Sequence, residues 1–125
     1  MDQVPQDFVD LANRLADASR PILKSYYRRK LDIDIKTDAS PVTRADREAE
    51  AAIRALINAA FPEHGIFGEE FGKERADAEY VWVLDPLDGT RAFVTGRPTF
   101  GTLIALTRHG APLLGLIDMP VLDDR

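Results

Sequence analysis

The sequence predicts an α+β fold in which two helices pack on a mainly antiparallel sheet. Three observations carry that expectation. Two long stretches in the first half space their apolar residues three and four apart. Four short apolar runs follow from His64 onward, bounded by glycine and proline. The last two runs are joined by Arg108-His109-Gly110-Ala111-Pro112, which is short enough for a hairpin. With 125 residues, 45% hydrophobic and 30% charged, the chain is long enough for one domain with its own core.

From Pro5 to about Arg29, Phe8, Leu11, Leu15, Ala18, Ile22 and Tyr26 form a helical stripe. Pro5 suits the first turn, and Pro21 predicts a kink or break near Ser19-Arg20. Lys24, Arg28, Arg29 and Lys30 fall in the last turns, where the helix dipole favours cations, and this reading is preferred to a binding role. Leu31 to Lys36 alternates like a half-buried strand, and Thr37 to Pro41 reads as a loop. Thr43 begins a second helix that Asp46 closes with a capping box. Its buried stripe is Ala49, Ala52, Ile53, Leu56, Ile57 and Ala60, and Pro62 forces its end.

His64 to Gly68 is a short strand running into Glu69-Glu70, and Gly72 to Glu79 is a charged loop. Tyr80 to Leu84 is a strand that ends in Asp85-Pro86-Leu87-Asp88-Gly89-Thr90, where proline stops simple pairing and the chain turns. Thr90 to Thr95 is a short helix ended by Gly96 and Pro98. The strands Phe100–Thr107 and Leu113–Ile117 complete the series. No helix follows to cover the last hairpin, so Leu114, Leu116 and Ile117 are short of partners; a fragment or an obligate oligomer is expected.

Composition removes several function classes. The balance of 16 basic and 21 acidic residues gives a net charge of −5 with no basic stripe, which argues against nucleic acid. The absence of cysteine excludes a disulfide scaffold, a thiolate zinc site and a cysteine nucleophile. No apolar run reaches membrane-spanning length, and the polar start has no apolar leader, so no membrane role and a cytoplasmic location are the default expectations.

The chemistry is concentrated in acidic residues at the ends of two apolar runs. Glu69 and Glu70 follow one, and Asp85 and Asp88 follow the other. If the two runs are neighbours whose ends coincide, three or four carboxylates share one edge, which costs several kcal/mol unless a cation or protons sit among them. All-oxygen ligation suits Mg²⁺ or Mn²⁺, and the Leu87 carbonyl is placed to serve as a further ligand. Backbone N–H groups at Gly89-Thr90, with the Thr90 hydroxyl, suit a phosphate. Together these predict hydrolysis of a phosphate monoester by a metal-activated water. Taken alone, each motif is also an ordinary turn or solvated surface. The aspartyl-phosphate loop of haloacid-dehalogenase-like phosphatases would need its nucleophile at position 86, which is proline, and no Walker or GxGxxG loop is present.

Gly68-Glu69-Glu70 followed by Trp82-Val83-Leu84-Asp85-Pro86-Leu87-Asp88-Gly89-Thr90 resembles the first signature of the inositol monophosphatase family of Mg²⁺-dependent phosphatases. Asp34-Ile35-Lys36, Ser40 to Thr43 and Ala45-Asp46 resemble the family's N-terminal half. Ala39 to Arg47, Gly68 to Gly72 and Phe100 to Leu106 most resemble its histidinol-phosphate phosphatase branch. The resemblance implies that this is the N-terminal half of a layered αβαβα fold. It implies metal ligation by Glu69, Asp85, Asp88 and the Leu87 carbonyl, with Glu69 and Thr90 orienting and activating the water. Gly89 and Thr90 amides would hold the phosphate, and Glu70 would assist from behind. Lys36 and Asp46 match positions near the site, though a solvated lysine and a helix cap are equally good readings. His64 and His109 match no ligand.

Family members continue into a second half with a Trp-Asp-x-Ala-Ala-Gly-like motif whose aspartate completes the second metal site. This chain has neither, so the C-terminal domain is expected to be absent from its single domain, residues 1–125. The resemblance implies a small phosphate monoester as substrate, histidinol phosphate first and inositol phosphate second, and a homodimer in the full-length form. The alternative is a truncated, inactive metal- or phosphate-binding module.

Overall fold

A computed structural model describes residues 3–28 and 41–125 of the chain. The expected strand Leu31–Lys36, the loop Thr37–Ser40 and the candidate residue Lys36 lie outside the described residues. The elements run α1 (Gln6–Tyr26), α2 (Pro41–Ala60), β1 (Gly65–Gly68), β2 (Gly72–Glu74), β3 (Tyr80–Asp88), α3 (Thr90–Val94), β4 (Gly101–Arg108) and β5 (Ala111–Asp118). The strands form one sheet in the order β2-β1-β3-β4-β5. Three of its pairings are antiparallel and one, β1 with β3, is parallel, so the α+β expectation of a mainly antiparallel sheet holds.

The apolar stripes of α1 and α2 meet one face of the sheet. Phe8, Leu11 and Leu15 of α1 and Ile53 and Ile57 of α2 bury against Ile66, Trp82, Leu84, Ile104 and Leu106. A second cluster forms near the end of β3, where Leu23, Ala45, Ala49, Leu87, Phe93 and Phe100 come together. His64 is buried beside the first cluster, and its Nδ1 accepts a hydrogen bond from Trp82 Nε1 at 3.1 Å, so it is structural. His109 lies at the surface in a two-residue turn. His109 and Gly110 there have φ of 49° and 81°, the left-handed pair that matches the twist of a hairpin.

Several expectations are corrected. The first helix ends at Tyr26 rather than about Arg29, and Pro5 precedes it, accepting hydrogen bonds from the Phe8 and Val9 amides. Arg28 therefore lies beyond the helix, where its guanidinium donates to the Gly96 carbonyl. Pro21 does not break α1, which is helical on both sides of it. The second helix begins at Pro41, two residues before Thr43, because proline suits a first helical position. Gly72 to Glu79 is not all loop, since Gly72–Glu74 pairs with β1 as β2. Arg54 on α2 holds it in place, donating to the Gly72 carbonyl and to Glu74.

The chain does not turn at Pro86 either. The strand β3 continues to Asp88 through an irregularity between Asp85 and Asp88, and the turn comes at Gly89, whose φ of 83° a side chain would resist. In the last hairpin, Leu114 and Leu116 pack on the main core after all. Ile117, on the opposite face, is 60% exposed, alongside Phe67 at 40% and Val83 at 37%. Among the described residues, no helix is long and apolar enough to cross a membrane.

Candidate active site

The parallel pairing of β1 with β3 positions the site. Gly65 stands opposite Val81, and the pairing runs in step to Gly68 opposite Leu84. The next residues along the two strands are Glu69 and Asp85, so the two runs end side by side, as the carboxylate hypothesis requires. The return path that permits this is tight. A Cβ on Gly65 would collide with the Arg75 carbonyl, and Arg75 Nε donates to the His64 carbonyl at 2.7 Å.

The Asp85–Asp88 segment is fixed from both sides. The Leu87 side chain is 2% exposed in the second cluster. Thr102 Oγ1 donates to the Pro86 carbonyl at 2.8 Å and stands 3.3 Å from the Ser19 hydroxyl of α1. The Leu87 N–H faces the Asp85 carboxylate and favours its ionised form. Gly89 then leads into α3, where Thr90 is the first residue. A Cβ at Gly89 would press on the Thr99 carbonyl at 3.2 Å.

Asp46 joins the group from α2. It is 6% exposed, inside the helix rather than at its cap, which removes the capping-box reading. Its carboxyl group is pushed up to about 7 by burial, then by the charges of Glu70, Asp85 and Glu69, with a hydrogen bond to Glu70 adding to the effect. Asp85 is also raised, by burial and by the charges of Glu69 and Asp88, against the Leu87 N–H that favours its ionised form. Arg47 approaches Glu70 from outside at 3.5 Å.

The charges acting on Asp46 and Asp85 place Asp46, Glu69, Glu70, Asp85 and Asp88 within one electrostatic neighbourhood. Among the described residues, however, no three acidic or histidine side chains stand close enough around one point to hold a metal ion. The fit to a divalent cation rests on another observation. Oδ1 of Asp46 and Oδ1 of Asp85 are buried carboxylate oxygens with no hydrogen-bond partner. A buried acceptor left in that state is costly, and an oxygen-seeking cation is the ligand that satisfies it.

Sequence reasoning missed Glu50 and Arg54. Glu50 is wholly buried and accepts hydrogen bonds from the amides of Glu70 and Phe71 and from Arg54 Nε. Its position one helical turn after Asp46, on the apolar face of α2, was the available signal. Asp118 was missed as well. It is fully buried and held bidentately by Arg20 at 3.1 and 2.6 Å, with Arg125 at 3.0 Å.

The sequence pattern of the inositol monophosphatase family matches residues 5–125. The chain belongs to the inositol monophosphatase family. Among similar members, a chloroplastic bifunctional phosphatase of Arabidopsis thaliana is 54% identical over 121 residues, which is 94% of this chain and 35% of that protein. A histidinol-phosphatase of Chlorobaculum parvum is 44% identical over 117 residues, covering 93% of this chain and 45% of the relative. An inositol monophosphatase from Zymomonas mobilis superposes with a TM-score of 0.85 at 51% identity, over 98% of this chain and 47% of that one. The chain thus spans less than half the length of these family members.

Proposed function

We propose that the full chain is a metal-dependent phosphomonoesterase acting on a small phosphate monoester, most specifically histidinol phosphate, with inositol phosphate the second candidate. The observation that carries the reading is the meeting of Glu69 and Asp85 at the ends of two parallel strands, beside an Asp46 with an unsatisfied buried oxygen. Relatives named histidinol-phosphatase, in Chlorobaculum parvum and Mycobacterium tuberculosis, support the choice of substrate.

Glu69, Asp85, Asp88 and the Leu87 carbonyl would hold Mg²⁺, or Mn²⁺ in its place. When bound, the cation supplies neutralisation of phosphate charge and a lowered pKa for water. The protein's own groups do the rest. Glu69 and Thr90 orient the attacking water and the Glu69 carboxylate takes up its proton, while the Gly89 and Thr90 amides hold the phosphate oxygens. Attack at phosphorus forms one P–O bond and breaks the ester P–O bond, and the proton that the water gave up is returned to the departing alkoxide, which leaves as the alcohol. Glu70 and Asp46 support the ligands from behind. The 125 residues on their own would bind metal weakly and turn over slowly, because they span less than half the length of the relatives they match.

A Mg²⁺-dependent phosphate-release assay on the full chain, with histidinol phosphate and inositol phosphate, tests the reading. Binding of Mg²⁺ without release from either substrate would defeat it in favour of an inactive metal-binding module.

A further inference from the structure

We infer that Glu50 is a positioning residue for Glu69, fixing where that carboxylate stands against Asp85 and so setting the affinity of the site for a divalent cation. The inference rests on the phosphatase reading given above.

Glu69 sits between two anchors. On its N-terminal side, Gly68 is paired with Leu84 of β3. On its C-terminal side, Glu50 Oε1 accepts the Glu70 amide at 3.1 Å and Oε2 accepts the Phe71 amide at 2.9 Å. The two amides belong to the residues directly after Glu69, so the backbone carrying the ligand is held from the helix and cannot drift along the sheet edge. The approach is as close as the chain allows, since a Cβ on Gly68 would overlap the Glu50 carboxylate.

The charge of Glu50 is itself accounted for. It is wholly buried, and Arg54, four residues on, donates to Oε2 at 3.1 Å. Arg54 also reaches Glu74 and the Gly72 carbonyl, so the same pair grips the turn and the β2 arm of the β1–β2 hairpin. Asp46 and Glu50 lie one helical turn apart on α2 and therefore on one side of it. Asp46 stands among the site carboxylates and Glu50 holds the turn that delivers one of them. Groups that orient a ligand in this way commonly tune metal affinity 10- to 100-fold.

The test is E50Q in the full chain. Glutamine is isosteric but keeps a single acceptor oxygen, so one of the two amides loses its partner. Calorimetric titration with Mg²⁺ alone should show the Kd rising about 10- to 100-fold. In the metal-free chain, amide exchange at Glu70 or Phe71 should quicken. Ile57→Val, a core substitution on the same helix with no link to the turn, should lower stability while leaving Kd unchanged. Should E50Q not fold, Glu50→Asp keeps the charge on a stem one methylene shorter and should raise Kd in the same direction. An unchanged Kd in a folded Glu50 variant overturns the role of Glu50, as does an equal rise in Ile57→Val. A wild-type chain that binds no divalent cation overturns the phosphatase reading and this inference with it.

Discussion

Asp46 is held in the fold against its own charge. Its pKa rises from 3.8 to about 7, through burial first and then through Glu70, Asp85 and Glu69. Between those values the folded state binds a proton that the unfolded chain does not, so stability of the metal-free protein falls as pH rises from about 4 to about 7. Asp46→Asn removes that slope and should stabilise the metal-free chain at pH 8 by on the order of 2 kcal/mol, read from the urea midpoint. A midpoint that stays put or falls would show that Asp46 carries no such penalty. The proposed ligands behave differently. Glu69→Gln and Asp88→Asn should cut phosphate release by about 100-fold or more while leaving the circular dichroism spectrum unchanged. Survival of most of the rate in either variant would mean that the ligands are misassigned.

The end of β3 depends on contacts that come from other elements. Thr102 of β4 is buried, donates to the Pro86 carbonyl and touches Ser19 of α1. Thr102→Val keeps the shape but leaves that carbonyl unpaired, so it should cost about 1–3 kcal/mol in thermal or urea unfolding. A loss below a few tenths would show that the bond does not hold the irregular segment. The helices were legible because their apolar spacing and bounding prolines act locally. The continuation of β3 past Pro86 was not, because it is imposed by Thr102 and by pairing of Asp88 with Gly101. The strand β2 was hidden for the same reason, as Lys73 and Glu74 have no apolar pattern and the segment is held by Arg54. The acidic residues of the site could be read from the sequence, whereas the signal for Glu50 was only its place one turn after Asp46 on the apolar face of α2, and the partners that bury it, the Glu70 and Phe71 amides, come from another element.

At the scale of the whole fold, buried His64 pulls stability one way with pH and the raised carboxyl groups, Asp46 foremost, pull it the other. His64 is lowered from 6.5 mainly by burial, which the charges of Glu63 and Glu79 only partly offset. The unfolded chain therefore takes up a proton below pH 6.5 that the folded chain refuses, and stability is lost as pH falls through that range. Asp46 gains stability over part of the same interval, so the wild-type profile should be flatter than either group alone would give. In the Asp46→Asn background the fall from pH 7 to pH 5 should stand clear, and replacing His64 by glutamine as well should flatten it. A slope that persists without His64 would assign it to another group.

The side-by-side ending of β1 and β3 also limits what evolution can insert. One extra residue in the Gly65–Gly68 segment would reverse which side chains face the helices and wreck the core. Two extra residues would preserve that alternation, and packing alone would tolerate them. They would nevertheless carry Glu69 about 6.6 Å past Asp85, too far for one ion to bridge both. If Glu69 and Asp85 share a cation as proposed, the length of this four-residue strand is set more strictly by the span of that ion than by the hydrophobic interior, and a homologue with a longer strand here would keep its fold and lose its metal.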